Sequence, residues 1–252
     1  MPVTPLMYLI VCPLCLLAGF IDSIAGGGGL ISLPAYYLAG LPAHLSAGTN
    51  KFSATFGTAL SLWKYGKSGK ILFRCGIPAA LAALPGSYLG TRVLTLLSDR
   101  FIYTMMLFLL PLIALFVLFG PKGKSKPLFS GRIAEILVCL FCGLLIGFYD
   151  GLVGPGTGSF LILLFTSLLG MEAVTASGTA KIVNLSSNVA SLITLAFCGN
   201  VLYFLALPAA LCSIAGNYFG TRLAIRKGNK VIRTVMLIVL FLLLITMAAR
   251  VF

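Results

Sequence analysis

Charged residues are scarce in this sequence of 252 amino acids. Only 9% of the residues are Asp, Glu, Lys or Arg, only five are acidic, and 60% of the chain is hydrophobic. A soluble domain of this size cannot hide so much apolar surface, so the composition predicts an all-α polytopic membrane protein. The apolar runs are long and continuous rather than short and alternating, which excludes a membrane β-barrel.

Several functional motifs are also missing. The sequence has no G-x-x-x-x-G-K-[ST] motif, so active transport by this chain is secondary or depends on another chain. The first residues, MPVTPLMY, lack a basic segment, and we therefore expect no cleavable signal peptide. No His, Asp or Glu lies near enough to the cysteines to complete a metal site, so we predict neither metal nor cofactor. No acid–base pair lies outside the repeated motifs described below, and we expect no enzyme.

The basic residues that are present cluster in short loops. The net charge is +13, and the basic loops lie at 64–70, 121–127 and 226–230. Such loops mark the cytoplasmic side of a membrane protein. The charge pattern therefore predicts a multi-pass membrane protein with these loops in the cytoplasm, a lipid bilayer as partner and no nucleic acid.

The sequence nearly repeats itself. Three motifs of the first half return in the second: GFID (19–22) as GFYD (147–150), SAGTNK (46–51) as ASGTAK (176–181), and PAALAALPGSYLGTR (78–92) as PAALCSIAGNYFGTR (208–222). Such agreement within apolar sequence indicates gene duplication. We predict a first repeat at 1–120, a polar cytoplasmic linker at 121–131 and a second repeat at 132–252.

Each half begins with an apolar run (about 5–24 and 132–150), a Gly-rich break and a short apolar stretch. Three longer apolar segments follow in each half, at about 46–64, 71–95 and 101–119 and at about 174–197, 201–225 and 231–251. The short stretches, at about 30–40 and 159–169, have about half the length of a bilayer crossing. Each could complete a broken crossing, or form a hairpin that enters and leaves by one face. Only the hairpin places all three basic loops on one side. We therefore predict two inverted-topology repeats, each a Gly-rich re-entrant helix hairpin plus three transmembrane helices, as in many secondary transporters.

The Gly-rich breaks then lie at hairpin tips deep in the membrane. Irregular backbone at that depth is tolerated where it is buried in protein or lines a wet cavity. Each short helix starts at a tip, so its free N–H groups and positive dipole end form an anion site. Tight packing of small residues is the alternative explanation. The substrate-binding residues predicted at the tips are Gly26, Gly27, Gly28, Gly29, Gly154, Gly156, Thr157 and Gly158.

Polar residues of the helix after each hairpin extend the predicted site. Lys51 and Lys181 lie about 8 Å inside a span, where an ionisable residue is a functional hypothesis by default. They could neutralise an anion or pair with an aspartate, while Lys51 could instead snorkel to the interface. The other predicted substrate-binding residues on these helices are Thr49, Asn50, Thr179 and Asn184.

Further ionisable residues have two interpretations each. Asp22 and Asp150 precede the tips and are either proton-coupling groups or structural partners that stabilise the hairpins. His44, the only histidine, either passes a proton or is an ordinary loop residue. Arg92 and Arg222 end the two GTR motifs and are candidate gate residues, with interfacial anchoring as the alternative.

A C-x-x-C motif occurs once in each half. Cys12 and Cys15 form the first, and Cys139 and Cys142 form the second. The two cysteines of each motif share a helix face, which suits a metal site, a redox site or buried small apolar residues. The sequence leaves their role open.

The motifs GFID-x-x-AGGGG, LP-x-H-x-SAGTNK and PGSYLGTR, with their second-half copies, resemble the TauE/SafE family of bacterial sulfite and organosulfonate exporters, also called the toluene-sulfonate uptake permease family. The resemblance covers essentially the whole chain. It implies transport of a small sulfur-containing anion across the cytoplasmic membrane. Ala180 in the place of Asn50, and Pro155 with Thr157 in the second Gly-rich stretch, depart from exact symmetry of the two half-sites.

Together these features predict a secondary transporter that exports sulfite or an organosulfonate such as sulfoacetate. We expect proton coupling and alternating access around a site at the membrane midplane. A passive anion channel of the same fold is the alternative, and a membrane thiol redox enzyme is a third hypothesis. The expected partners are the small anion and the bilayer, with homo-oligomerisation left open.

Overall fold

The computed structural model describes residues 3–102, 104, 105, 108, 128, 129 and 131–228. Within these ranges the fold is all-helical, as predicted, and contains no strand. Eight helices lie wholly within these ranges: α1 (Pro5–Ala25), α2 (Gly29–Leu38), α3 (Ala43–Lys67), α4 (Phe73–Leu96), α5 (Arg132–Leu152), α6 (Thr157–Leu168), α7 (Ala173–Phe197) and α8 (Tyr203–Lys227). Residues 99–102 are helical as well. Most of the apolar segments predicted at 101–119 and 231–251 lies outside the described residues, as do the basic loop 121–127 and most of the linker.

Within the described part of the chain, four helices are long and apolar enough to cross a membrane, namely α1, α5, α7 and α8. The helices α2 and α6 are apolar but have only 10 and 12 residues, about 15 and 18 Å at 1.5 Å per residue. Helix α3 has the length of a span but carries many polar residues. Its Ser46, Thr49 and Ser53 are buried, so this polarity faces the protein interior rather than lipid.

A glycine with positive φ lies directly after the first helix of the first half and two residues after the first helix of the second half. Helix α1 begins with Pro5, whose missing N–H is not needed in the first turn, and ends at Gly26 with φ +73°. An L-residue with a Cβ loses roughly 1–2 kcal/mol in that left-handed region. Between α5 and α6, Gly154 and Gly156 have φ values of +91° and +83°. The chain therefore turns sharply at both Gly-rich breaks.

Both turns produce helical hairpins. Cys15 of α1 donates a hydrogen bond to the Tyr36 hydroxyl of α2, with 3.5 Å between sulfur and oxygen. In the second half the rings of Tyr149 on α5 and Phe160 on α6 meet edge to face at 5.4 Å. Apolar clusters fill the space beside each hairpin, one including Val11 and Tyr36 and another including Phe165.

Helices α1 and α3 both run parallel to α8, a helix of the other half. Along α1, Gly19 meets Ser213, and further on Ser23 meets Gly220. Along α3, the Thr49 hydroxyl accepts a hydrogen bond from the Leu202 N–H at 3.1 Å. Twelve residues later Ser61 lies 2.8 Å from the Thr221 hydroxyl. The three helices therefore share one direction.

Helices α5 and α7 likewise run parallel to α4. A Cβ on Gly143 of α5 would overlap the backbone of Ala79, and Gly151 meets Ser87 in the same way further along. This is the close approach that small residues allow between membrane helices. On α7, Thr179 accepts a hydrogen bond from the Leu72 N–H at 3.0 Å, and Ser191 lies 2.9 Å from the Thr91 hydroxyl.

The two sets of helices run in opposite directions. Helix α3 meets α7 with Lys51 beside Asn188 at one point and Tyr65 beside Ser177 at another, so the residue numbers rise on one helix as they fall on the other. Hairpin α1–α2 and hairpin α5–α6 therefore approach each other from opposite sides. The halves also make equivalent contacts, since Gly19 against Ser213 matches Gly147 against Ala83. These matches support the predicted duplication, which stays a prediction.

Candidate functional site

The two Gly-rich tips touch each other. A Cβ on Gly26 would overlap the backbone of Gly158 and Ser159, and a Cβ on Gly29 would lie 3.2 Å from the Pro155 Cα. Only glycine therefore fits at Gly26, for its backbone conformation and for the contact. The tips place the first turns of α2 and α6 side by side in the middle of the bundle.

Side chains from other elements cap the end of α1. A helix leaves its last four carbonyl groups without partners inside the helix. The Asp22 carbonyl accepts a bond from the Lys181 ammonium at 2.6 Å, and the Ala25 carbonyl accepts one from Ser159 at 2.7 Å. The carbonyls of Ser23 and Ile24 accept bonds from the hydroxyls of Tyr65 (2.8 Å) and Ser177 (3.2 Å). The first tip is thus fixed mainly by the second half.

Each buried lysine pairs with the aspartate of the opposite half. The Lys51 ammonium lies 2.7 Å from the Asp150 carboxylate, and the Lys181 ammonium lies 2.7 Å from the Asp22 carboxylate. Side-chain exposure is 9% for Lys51 and 6% for Asp150. Lysine and aspartate at such depth are rare unless they are paired. The structure therefore shows ion pairs where the sequence left anion binding, pairing and snorkelling open.

The pair formed by Lys51 is embedded in a larger polar network. Lys51 also donates to the Asn188 amide oxygen at 3.0 Å. The Asp150 carboxylate accepts bonds from Ser187 at 2.6 Å and from Thr157, at the start of α6, at 2.8 Å. Lys51, Ser187 and Thr157 thus satisfy a carboxylate that is buried away from water.

A polar cavity lies where the tips and the lysine–aspartate pairs meet. Its volume is about 50 Å³, counted as the space that the centre of a water molecule can occupy. One water needs roughly 10–15 Å³ on this measure, so the cavity has room for several waters or a small oxyanion. The lining residues that the sequence predicted are Gly26, Gly28, Gly29, Asn50, Lys51, Gly154, Thr157, Gly158 and Asn184, together with Asp22 and Asp150.

Two amide oxygens at this cavity are buried without a hydrogen-bond partner in the described structure. They belong to Asn50 and Asn184, and Asn184 is only 5% exposed. Buried polar atoms are normally satisfied, and an exception calls for an unseen partner such as water or a ligand. A half-turn of the amide presents an NH₂ instead of the oxygen, so each side chain can bind a donor or an acceptor.

Other predicted site residues lie away from the cavity lining. Thr49 and Thr179 use their hydroxyls to accept the backbone N–H of Leu202 and Leu72, as described for the helix contacts, and both threonines are fully buried. Lys181 is buried and does not line the cavity, whereas its partner Asp22 does. The remaining predicted substrate-binding residues outside the lining are Gly27 and Gly156.

The histidine and the two candidate gate arginines are also absent from the lining. The His44 ring binds the Asp99 carboxylate through Nδ1 at 2.8 Å and the Leu94 carbonyl through Nε2 at 3.1 Å. Arg92 and Arg222 are exposed, and the Arg92 guanidinium donates to the Tyr88 hydroxyl one turn earlier. These positions suit local structural roles, while the proposed gate and proton roles stay predictions.

Sequence reasoning missed part of the cavity wall. Helix α8 contributes Ser213 and Asn217 to the lining, and neither was predicted. The sequence did contain a signal, because Ser213 and Asn217 are more polar than Ala83 and Ser87, which occupy the equivalent positions in the first copy of the PAAL…GTR motif. Residues Cys15, Ser32, Ser53, Thr58 and Asn188 also line the cavity without having been predicted as substrate-binding.

The cysteines form no disulfide, since all seven are free. Three members of the C-x-x-C motifs, Cys15, Cys139 and Cys142, are buried, and Cys12 is half-buried. Within the part of the chain that the structure describes, no group of three His, Cys, Asp or Glu residues could hold a metal ion. The Cys15 thiol instead bonds Tyr36, as expected of a packed apolar position with a weak donor.

Comparison with known proteins gives one family. A family model described as "Sulfite exporter TauE/SafE" matches residues 11–247. The chain is 37% identical over 234 residues to "Probable membrane transporter protein ORF9" of a Sinorhizobium species, covering 92% of this chain and 89% of that protein. No solved structure matches the chain.

Two further relatives are similar over a comparable length. A "Probable membrane transporter protein" of Haemophilus influenzae is 33% identical over 226 residues, covering 90% of this chain and 88% of the relative. "Probable membrane transporter protein YfcA" of Escherichia coli K12 is 32% identical over 238 residues, covering 94% and 88%. The similarity therefore extends across both halves of the chain.

Proposed function

The chain belongs to the sulfite exporter TauE/SafE family and is a membrane transporter of this type, and on this premise we propose that it is a secondary transporter that exports small sulfur-containing anions. Sulfite and sulfoacetate are the proposed substrates. Transport is coupled to protons and proceeds by alternating access, in which the two hairpins open the central site to one face at a time.

The observation that carries this proposal is the position of Lys51. Its ammonium lies at the wall of the polar cavity, where the N-terminal turns of two helices, α2 and α6, also meet. Backbone N–H groups, hydroxyls, amides and an ammonium are the donors that suit an oxyanion. A volume of about 50 Å³ favours a small oxyanion over a bulky aromatic sulfonate.

The helix directions support the proposed membrane orientation. Helices α3 and α8 run parallel, and Lys64 near the end of α3 donates to the Tyr218 carbonyl of α8 at 2.8 Å. The starts of α4 and α5 lie together, because Arg74 and Glu135 form an ion pair at 2.9 Å. The loop 64–70, residues 226–228 and the start of α5 thus share one face. We place that face on the cytoplasmic side of the bacterial inner membrane.

Flux assays in proteoliposomes test the proposal. We expect the purified chain to move sulfite or sulfoacetate across the membrane at a carrier's rate, with a dependence on the pH gradient. Lys51→Ala should abolish this flux. If Lys51→Ala transported every accepted anion at the wild-type rate, the site assignment would be wrong. Channel-like flux that ignores the pH gradient would identify the passive anion channel instead.

A cysteine replacement separates transport from thiol chemistry. Changing Cys12, Cys15, Cys139 and Cys142 together to Ala removes both C-x-x-C motifs. A transporter that does not use these thiols keeps its flux, whereas a membrane thiol redox enzyme loses its activity.

A further inference from the structure

We propose that Asp150 takes up one proton when a monoanion binds at Lys51, so that proton and anion occupy the site together and cross the membrane in the same direction. This inference rests on the proposed transport function. It assigns different roles to the two aspartates. It also fixes the stoichiometry at one proton per monovalent anion and makes proton and anion move in the same direction.

The charge of the site sets the requirement for a proton. Around the cavity, Lys51 and Lys181 are balanced by Asp150 and Asp22, so the empty site is neutral. A bound monoanion would leave one net negative charge in a buried place. An uncompensated buried charge is strongly unfavourable. One proton restores neutrality, because Lys51 then pairs with the anion and one carboxyl group becomes uncharged.

Hydrogen bonding identifies Asp150 as the group that takes this proton. Its two other partners, Ser187 and Thr157, are hydroxyls at 2.6 and 2.8 Å. A hydroxyl can either donate or accept, so a protonated Asp150 donates to one of them and accepts from the other. The carboxyl group therefore remains satisfied when Lys51 turns to the anion.

Among the described residues, Asp22 lacks the hydroxyl partners that would keep a protonated carboxyl group hydrogen-bonded. Its carboxylate is bound to Lys181, whose side chain is 1% exposed and also donates to the Asp22 main-chain carbonyl. No hydroxyl bonds to the Asp22 carboxylate in the described ranges. The Lys181 ammonium does not line the cavity, so an anion there cannot displace Asp22 from it. Asp22 thus stays ionised through the cycle.

The surrounding titratable groups leave the assignment unchanged. Helix α3 presents Lys51 to Asp150, while Asp22 on α1 faces the same cavity with Lys181 of α7 behind it. Tyr149 lies next to Asp150 on α5, and its hydroxyl donates to the Pro155 carbonyl. Cys15, further along the cavity, donates a hydrogen bond to the Tyr36 hydroxyl. Helices α4 and α6 contribute no titratable side chain to the cavity lining.

The proton balance determines how a proton gradient acts on the direction of anion transport. The proton comes from bulk water on the side where the anion binds, rests on the Asp150 carboxyl and leaves with the anion on the other side. Both the empty and the loaded site are neutral, so transport of a monoanion carries no net charge. An inward proton gradient then favours uptake and opposes export, and export proceeds down the anion's own gradient.

Calorimetry on the full chain in nanodiscs tests the inference, with methanesulfonate as probe because it stays a monoanion at all relevant pH values. Titrations at one pH in two buffers of different ionisation enthalpy give the number of protons taken up per bound anion. We expect a value of one for the wild type. We also expect the Kd to rise about tenfold per pH unit over the range in which the proton is taken up.

Two variants make a matched pair. Asp150→Asn removes the proton acceptor, so methanesulfonate should bind with no proton uptake and with a Kd independent of pH. The double variant Asp22→Asn with Lys181→Met removes the other ion pair as a unit, leaves the empty site neutral and should retain one proton per anion, whatever its affinity. Binding by the wild type without proton uptake would overturn this inference and leave the proposed anion site standing. No binding of methanesulfonate by the wild type would overturn the anion site and the inference together. The wild-type measurement decides the matter even if a variant fails to fold.

Discussion

The ammonium of Lys51 borders a cavity, and its carboxylate partner also accepts hydrogen bonds from two hydroxyl groups. The ammonium of Lys181 is buried away from the cavity and donates two hydrogen bonds to a single residue, Asp22. The two lysines occupy equivalent positions in the repeated motifs SAGTNK and ASGTAK. The helices packed against the two hairpins also differ, since α8 carries Ser213 and Asn217 where α4 carries Ala83 and Ser87, and only the α8 residues line the cavity. The two similar motifs thus contribute one lysine that lines the polar cavity and one that fixes the end of α1.

The sharpest test of this difference is the same substitution in both lysines. We expect Lys51→Met to reduce anion flux to background, because it removes the cation at the cavity. Lys181→Met leaves Asp22 and its carbonyl without their partner. It should therefore lower stability by about 3–5 kcal/mol while the folded fraction still transports.

Proteoliposome flux normalised to folded protein, together with the thermal unfolding midpoint, measures both effects. Equal loss of flux in the two variants at equal folded amounts would mean that the pairs are functionally equivalent. That result would remove the distinction drawn between them.

The contact between the tips gives the next largest effect. Gly26→Ala combines a left-handed backbone with a Cβ that overlaps Gly158 and Ser159, so we expect a loss of about 3 kcal/mol. Gly40→Ala is the matched control, since Gly40 has φ +84° but no atom within 4 Å of the added Cβ. It should cost only about 1 kcal/mol. Thermal unfolding in detergent measures both, and similar midpoints would argue against close contact of the tips.

The asymmetric cavity wall can be altered at one residue. Asn217 is buried, accepts a bond from Ser61 at 2.7 Å and donates to the Ser213 carbonyl at 2.9 Å. Asn217→Ser makes α8 resemble α4 here. It should cost about 1 kcal/mol through lost hydrogen bonding and enlarge the cavity. We expect preference for taurine or sulfoacetate over sulfite to rise by up to about tenfold.

Competition flux assays with paired anions measure this preference. The reciprocal variant, Ser87→Asn, changes α4, which contributes no residue to the cavity lining, and serves as the control. A change in preference caused by Ser87→Asn but not by Asn217→Ser would place the substrate on the other side of the tips.

The smallest effect is expected at His44. Its partner Asp99 is 43% exposed, and an ion pair at such a surface contributes roughly 0–1 kcal/mol. His44→Gln should therefore lower stability by about 0.5 kcal/mol and leave flux nearly unchanged. A large change in the pH dependence of flux in this variant would instead give His44 a part in proton transfer.

Much of the fold was accessible from the sequence. The apolar runs predicted the described helices to within a few residues, and the Gly-rich breaks predicted where the chain turns. Most of the cavity lining from the two tips was predicted as well, because glycine, threonine and lysine are unusual inside apolar segments. The prediction was less complete on α8, whose polar residues are spread through a motif that otherwise indicates helix packing.

The sequence alone determined the membrane class, the duplicated motifs and the presence of buried charges, since these follow from composition and local spacing. Only the tertiary structure decided that Lys51 meets Asp150, that Lys181 meets Asp22, and that Lys51 but not Lys181 lines the cavity. Each pair joins residues far apart in the chain, 99 residues for the first and 159 for the second. Such partners are chosen by helix direction and register across the two halves, which local sequence does not encode.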